Sequence, residues 1–161
     1  MNNILKSVLY GIGGAIGGWI IAALITLVLA VIAGILDVLG IRFLIMLVVL
    51  LSLAAPVVPA LGIGGFVSSA STGSSMNKRA AGMVAAAIAI ILASIPLVLI
   101  INDNFPVDLM TNTLDQPDWV GTVMTWYAWL MVALSPVIAF ALAADIPIGS
   151  ATSDRANNPP A

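Results

Sequence analysis

Four stretches of this chain carry no charged side chain: Ser7–Leu36, Phe43–Asn77, Ala80–Asn102 and Trp119–Ala144. Each exceeds the ~20 apolar residues with which a helix crosses the ~30 Å hydrocarbon layer of a bilayer, and none is long enough to cross twice. Charge is too scarce to build a water-facing surface. Only 7% of residues are charged and 61% are hydrophobic, where an ordinary soluble domain carries about 25% charged residues. Mean hydropathy is +1.18. The pattern predicts an all-α, integral membrane protein: one domain, a bundle of four transmembrane helices, multi-pass in a cell, internal or virion membrane.

The expected spans are about 8–36, 43–67, 80–102 and 119–144. The second is ended near Val67, because Gly62-Ile63-Gly64-Gly65 and the serine-rich run after it read as a fraying helix end entering an inner Gly/Ser loop, 68–79. An outer loop is expected at 103–118 and a polar C-terminal tail at 146–161, of a composition that is ordered only when something ties it down. Lys6 precedes the first span, but the apolar run after it is far longer than the 7–15 residues of a signal-peptide core, so a retained helix is expected. Orientation is set by the excess of Lys and Arg in cytoplasmic loops. With both termini cytoplasmic, Lys6, Lys78, Arg79 and Arg155 lie inside and only Arg42 lies outside. Gly40 suits a helix C-cap in the short link between the first two helices, where Asp37 and Arg42 are close enough in sequence to pair.

Helices in lipid associate by close packing, and small residues four apart mark the faces that do so. The first span has two interleaved registers, Gly13/Gly17 and Gly14/Gly18/Ala22, after Gly11. The third carries Ala81/Ala85/Ala89/Ala93 and the fourth Ser135/Ala139/Ala143. For the third and fourth, packing of the bundle onto itself is the preferred reading. The first span is expected to be the principal assembly face, along Gly14, Gly18 and Ala22, since a helix-interior glycine costs about 1 kcal/mol relative to alanine. Its partner is left open between the second span, another copy and a different subunit. Pro56 and Pro59, Pro96 and Pro136 fall inside three of the spans, and each frees a carbonyl and kinks its helix. Freed carbonyls build ion and substrate sites in some transporters, although static kinks satisfied by neighbours are the preferred reading. Trp119, Trp126 and Trp129 are assigned as interface anchors, and Trp19 and Tyr10 mark the inner half of the first helix. Trp126 and Trp129 share a face on which a flat lipid or pigment would stack, but a bulky outer surface explains them more simply.

The absences are equally informative. There is no His, no Cys and no Glu, which removes the usual zinc, copper, haem and iron–sulfur ligands, any disulfide, and any Ser-His-Asp or Cys-His catalytic set. Five Lys and Arg do not make a nucleic-acid patch. No ionisable residue falls in the hydrocarbon part of a span; Asp145 comes nearest and is expected to help end the fourth helix in the headgroup layer. Asp103, Asp108, Asp115 and Asp118 lack the Asp-x-Asp-x-Asp-Gly spacing of a calcium loop, and Asp115 or Asp118 suits a helix cap. No catalytic, metal or cofactor residues are therefore assigned, with bound lipid or pigment the one cofactor-like option. The expected function is a non-catalytic structural or accessory subunit of a respiratory, photosynthetic, secretory or virion membrane complex. Its partners would be lipids and other transmembrane subunits or further copies of itself, with no nucleic acid. An oligomeric pore or small transporter is the alternative, and a lipid or pigment binder the third reading.

Overall fold

The computed structural model describes residues 3–71, 73–95 and 118–146, and they are all helix and short connections. The outer loop, the end of the third span with Pro96, and the tail with Arg155 lie outside the described residues. Helix α1 is Asn3–Val38, α2 is Arg42–Leu53, α3 is Val57–Ala70, α4 is Ser75–Ile88 and α5 is Asp118–Ala143. A π-helical turn, Ala89–Ala93, extends α4. Helices α2 and α3 together form one run, Arg42–Ala70, so the described residues contain four helical runs long and apolar enough to cross a membrane.

Several bounds differ from those expected. The first helix begins at Asn3, the second run continues to Ala70, and the third begins at Ser75, which shrinks the inner loop to a few residues. The largest correction concerns Gly62-Ile63-Gly64-Gly65. This segment is no fraying end: it lies inside α3, with Ile63 and Val67 at 0% exposure. Gly62 and Gly64 are there because neighbouring helices come too close for any side chain.

The runs alternate in direction. One end of the bundle, here the proximal end, holds Asn3, Ala70, Ser75 and Ala143; the distal end holds the α1–α2 link and Asp118. Two helices end in the same way at opposite ends. At Gly40, φ is +71°, Gly40 N–H donates to Asp37 O and Ile41 N–H to Leu36 O. At Asp145, φ is +57°, Asp145 N–H donates to Leu142 O and Ile146 N–H to Ala141 O. Both are Schellman caps, in which a left-handed residue lets two amides close on the last helical carbonyls. Asp145 thus ends α5 and also pairs with Lys78 at the start of α4. That is the one ion pair among the described residues; Asp37 and Arg42 are not paired.

Two buried clusters fill the interior. The proximal one is small: Ala15, Ala60, Ile63, Val67, Ala81, Ala85, Ala89, Ala93, Ala139 and Ala143. The distal one uses larger side chains, with Ile45, Leu53, Val120, Met124 and Ala128 at its centre. Outward faces are strongly apolar, among them Ile16, Leu24, Leu27, Val31, Phe43, Met83 and Val137, all more than half exposed.

Candidate functional site: the small-residue helix interface

Among the glycines, those of α1 and α3 face each other most tightly. A Cβ built on Gly14 would lie 2.5 Å from Gly62 O and 2.8 Å from Ile63 N, and one on Gly62 would lie 2.5 Å from Gly14 O. One on Gly18 would collide with the Cα of Pro59. With Ala22, 2% exposed, these residues form the inward face of α1. The register Gly14/Gly18/Ala22, expected as the assembly groove, is instead occupied by the chain's own second run, whose glycine and proline backbone fits where no side chain can. Gly13 and Gly17 point elsewhere: nothing lies within 4 Å of a Cβ at either position.

Helix α3 is the hub of the interface. On one side Gly62 meets α1; on another a Cβ at Gly64 would lie 2.7 Å from Leu142 Cβ and 3.0 Å from Ala139 O of α5. The alanine stripe Ala81/Ala85/Ala89/Ala93 and the pair Ala139/Ala143 enter the same cluster. Gly82 approaches Phe140 O of α5. Gly62 and Gly64 are packing residues that the small-residue stripes of the sequence do not single out. The available signal is that Val57–Val67 contains no polar side chain, which places glycines there in the apolar layer rather than in a loop.

The prolines are resolved one carbonyl at a time. A proline at position i leaves the carbonyl at i−4 without its helical donor. For Pro56 that is Ser52 O, which accepts from Ala55 N–H at 3.1 Å; for Pro59 it is Ala55 O, which accepts from Val58 N–H at 3.1 Å. Both are tight i→i+3 bonds where α2 turns into α3. For Pro136 it is Val132 O, which takes the Ser135 hydroxyl at 2.8 Å. Leu92 O, in the π turn, takes a donor from another helix: the Trp19 indole N–H of α1, at 3.1 Å. Every carbonyl freed by Pro56, Pro59 and Pro136 has a partner.

Polar side chains in the interior are few and satisfied. Ser7, Ser94 and Ser135 are buried. Ser7 donates to Asn3 O, while Ser94 and Ser135 face each other. Ser52 and Thr125 turn back onto Val48 O and Gly121 O of their own helices. Among the described residues no buried side-chain polar atom lacks a partner, and no group of acidic residues could hold a metal ion. Trp119, Trp126 and Trp129 are 61%, 73% and 43% exposed, so they lie on the outer face of α5, whereas Tyr127 packs on the distal cluster. The four outer-loop aspartates fall outside the residues whose side chains are described. No family model, curated protein or solved structure matches this chain.

Proposed function

We propose that the chain is a multi-pass integral membrane protein, both termini cytoplasmic, that serves as a non-catalytic structural or accessory subunit of a larger membrane complex. The observation that carries this reading is that the interior is committed to packing. The prolines of the described helices leave no carbonyl free, the buried hydroxyls are all bonded, and the clusters between helices are apolar. A pore needs a polar lane through the depth of the bundle, and Ser52, Thr125 and Ser135 bond to their own backbones instead. The apolar outer surface suits lipid, and it leaves a lipid- or pigment-stacking role for Trp126 and Trp129 unneeded. Lys6, Lys78 and Arg79 share the proximal end, in keeping with the excess of basic residues expected on the cytoplasmic side.

Within this reading Gly13 and Gly17 are the outward assembly register of α1, since the inward register already serves the fold. Native mass spectrometry after extraction in mild detergent tests both parts. The expected result is the chain in association with other subunits or copies, and loss of that association in Gly17→Leu with the monomer fold intact. A strictly monomeric wild-type protein in every mild extraction would overturn the proposal.

A further inference from the structure

At the proximal end the helices do not close completely on one another. A cavity of about 170 Å³ opens between the start of α1, the end of α3 and the start of α4. Its lining changes character with depth. Asn3, Ser71 and Asn77 stand at the proximal edge, Ser7 lies one turn further along α1, and Ala80 and Val84 continue the wall along α4. From Asn77 to Val84 that wall runs about 10 Å along the helix axis, and every lining residue of α4 after Asn77 is apolar. Neither water nor lipid tails alone match such a lining. Tails would leave the amides at the edge unpaired, and water would wet the apolar wall.

What the polar edge offers an occupant is amide hydrogens and positive charge. The Ser7 and Ser71 hydroxyls donate to Asn3 O and Ser68 O, so their hydrogens are spent on the chain itself. The side-chain amides of Asn3 and Asn77 bring two N–H donors each. Lys6 immediately precedes Ser7, and Lys78 and Arg79 lie between Asn77 and Ala80, which puts all three cations at the height of the edge. Lys78 is matched by Asp145. Lys6 and Arg79, both exposed, leave this end with a positive excess among the described residues.

We propose that this cavity is a binding site for one anionic phospholipid. Its phosphate accepts from the amides of Asn3 and Asn77, and its glycerol backbone and first chain carbons lie along Ala80 and Val84. The positive excess selects an anionic headgroup over a zwitterionic one, as basic pockets between transmembrane helices do. The apolar wall selects a lipid over a free phosphate. The site rests on the chain crossing a bilayer and not on its serving as a subunit: a lipid-loaded monomer supports the site while counting against the subunit.

Native mass spectrometry of the full-length protein in detergent tests it, by titration with phosphatidylglycerol or with phosphatidylcholine of the same chains. Phosphatidylglycerol should bind roughly tenfold more tightly, the ratio that one to two cations near the headgroup supply. Ala80 lines the cavity and is exposed, so Ala80→Phe fills it from outside the packed cluster and should abolish the preference. Met83→Phe adds a ring on the outward face of α4, at a position 66% exposed, and should leave the preference intact. Lys6→Gln, at an exposed position, should reduce it about fivefold. Glycerol 3-phosphate, which has no chains, should not displace the bound lipid at equal concentration. Equal binding of the two lipids overturns the proposal, as does an unchanged preference in Ala80→Phe or Lys6→Gln, or its loss in Met83→Phe. Displacement by glycerol 3-phosphate would make this a free-phosphate site and overturn the lipid. If Ala80→Phe does not fold, Lys6→Gln decides alone.

Discussion

Both halves of α1 are apolar, and the distal half is the richer in leucine, isoleucine and valine, yet only the proximal half buries residues completely. From Ser7 to Ala22 the helix buries Ser7, Gly11, Gly14, Ala15, Gly18 and Ala22 against its neighbours. From Ala23 to Val38 it buries none completely: Ala33 and Leu36 rest partly exposed on the distal cluster, and Leu24, Leu27, Val28, Val31 and Ile35 are more than half exposed. Hydrophobicity cannot account for the difference, because lipid tails are as good a solvent for leucine as another helix is. The halves differ in side-chain size. Glycine and alanine let two backbones approach until dispersion contacts run along a groove, whereas leucine and valine hold them apart. The clusters repeat the contrast: alanines dominate the proximal one, and Ile45, Leu53 and Met124 the distal one.

The largest test of this contrast is to perturb both halves of the same helix. Gly18→Leu drives a side chain into the Pro59 backbone, which cannot move as a flexible side chain would. A loss of about 3 kcal/mol or more is expected, seen as a marked drop in melting temperature in detergent, although the helix should still insert because leucine favours insertion. Leu24→Ala, at a position 61% exposed, should change the melting temperature little. Equal losses would show that the halves are held by the same forces.

A smaller and sharper test uses two adjacent residues of α3. Gly64→Ala puts a methyl 2.7 Å from Leu142 Cβ and 3.0 Å from Ala139 O, and should destabilise by about 1–3 kcal/mol. At Gly65 nothing lies within 4 Å of the added carbon. Gly65→Ala should therefore stabilise by up to about 1 kcal/mol through helix propensity alone. Opposite signs at neighbouring positions, measured by thermal unfolding, are the signature of a contact made on one side of α3 only.

The same physics decides how much of the fold and of the interface is legible in the sequence. In the described helices the charges Lys6, Asp37, Arg42, Lys78 and Arg79 lie within the first or last turns, because a charge in hydrocarbon is costly, so the apolar runs can be read directly. The small-residue stripes can also be read. Which of the two interleaved registers of α1 faces inward cannot: Gly13 and Gly14 differ by one residue, about 100° of helix, and both are glycine. Gly62 to Gly65 reads as a fraying end because glycine suits a loop and a backbone contact equally well. The pairing of Trp19 with Leu92 joins residues 73 apart in sequence. It is visible only once α1 is known to lie against the π turn.

The smallest expected effect compares the two helix caps at opposite ends. Gly40 and Asp145 both adopt positive φ, a conformation that glycine takes without strain and that asparagine and aspartate tolerate better than other side chains. Asp145 adds what Gly40 lacks, an ion pair with Lys78, whose side chains are 62% and 33% exposed. A pair this open contributes about 0–1 kcal/mol and weakens as salt rises. Asp145→Asn keeps the left-handed preference and removes the charge. It should lower stability by less than about 1 kcal/mol at low salt, and the difference from wild type should vanish at about 1 M salt, where the screening length falls to ~3 Å. Gly40→Ala has no charge to lose and keeps only the backbone strain of the cap, about 1 kcal/mol at any salt. A salt-dependent loss at the distal cap, or a salt-independent one at the proximal cap, would show that the two ends stop their helices for reasons other than these.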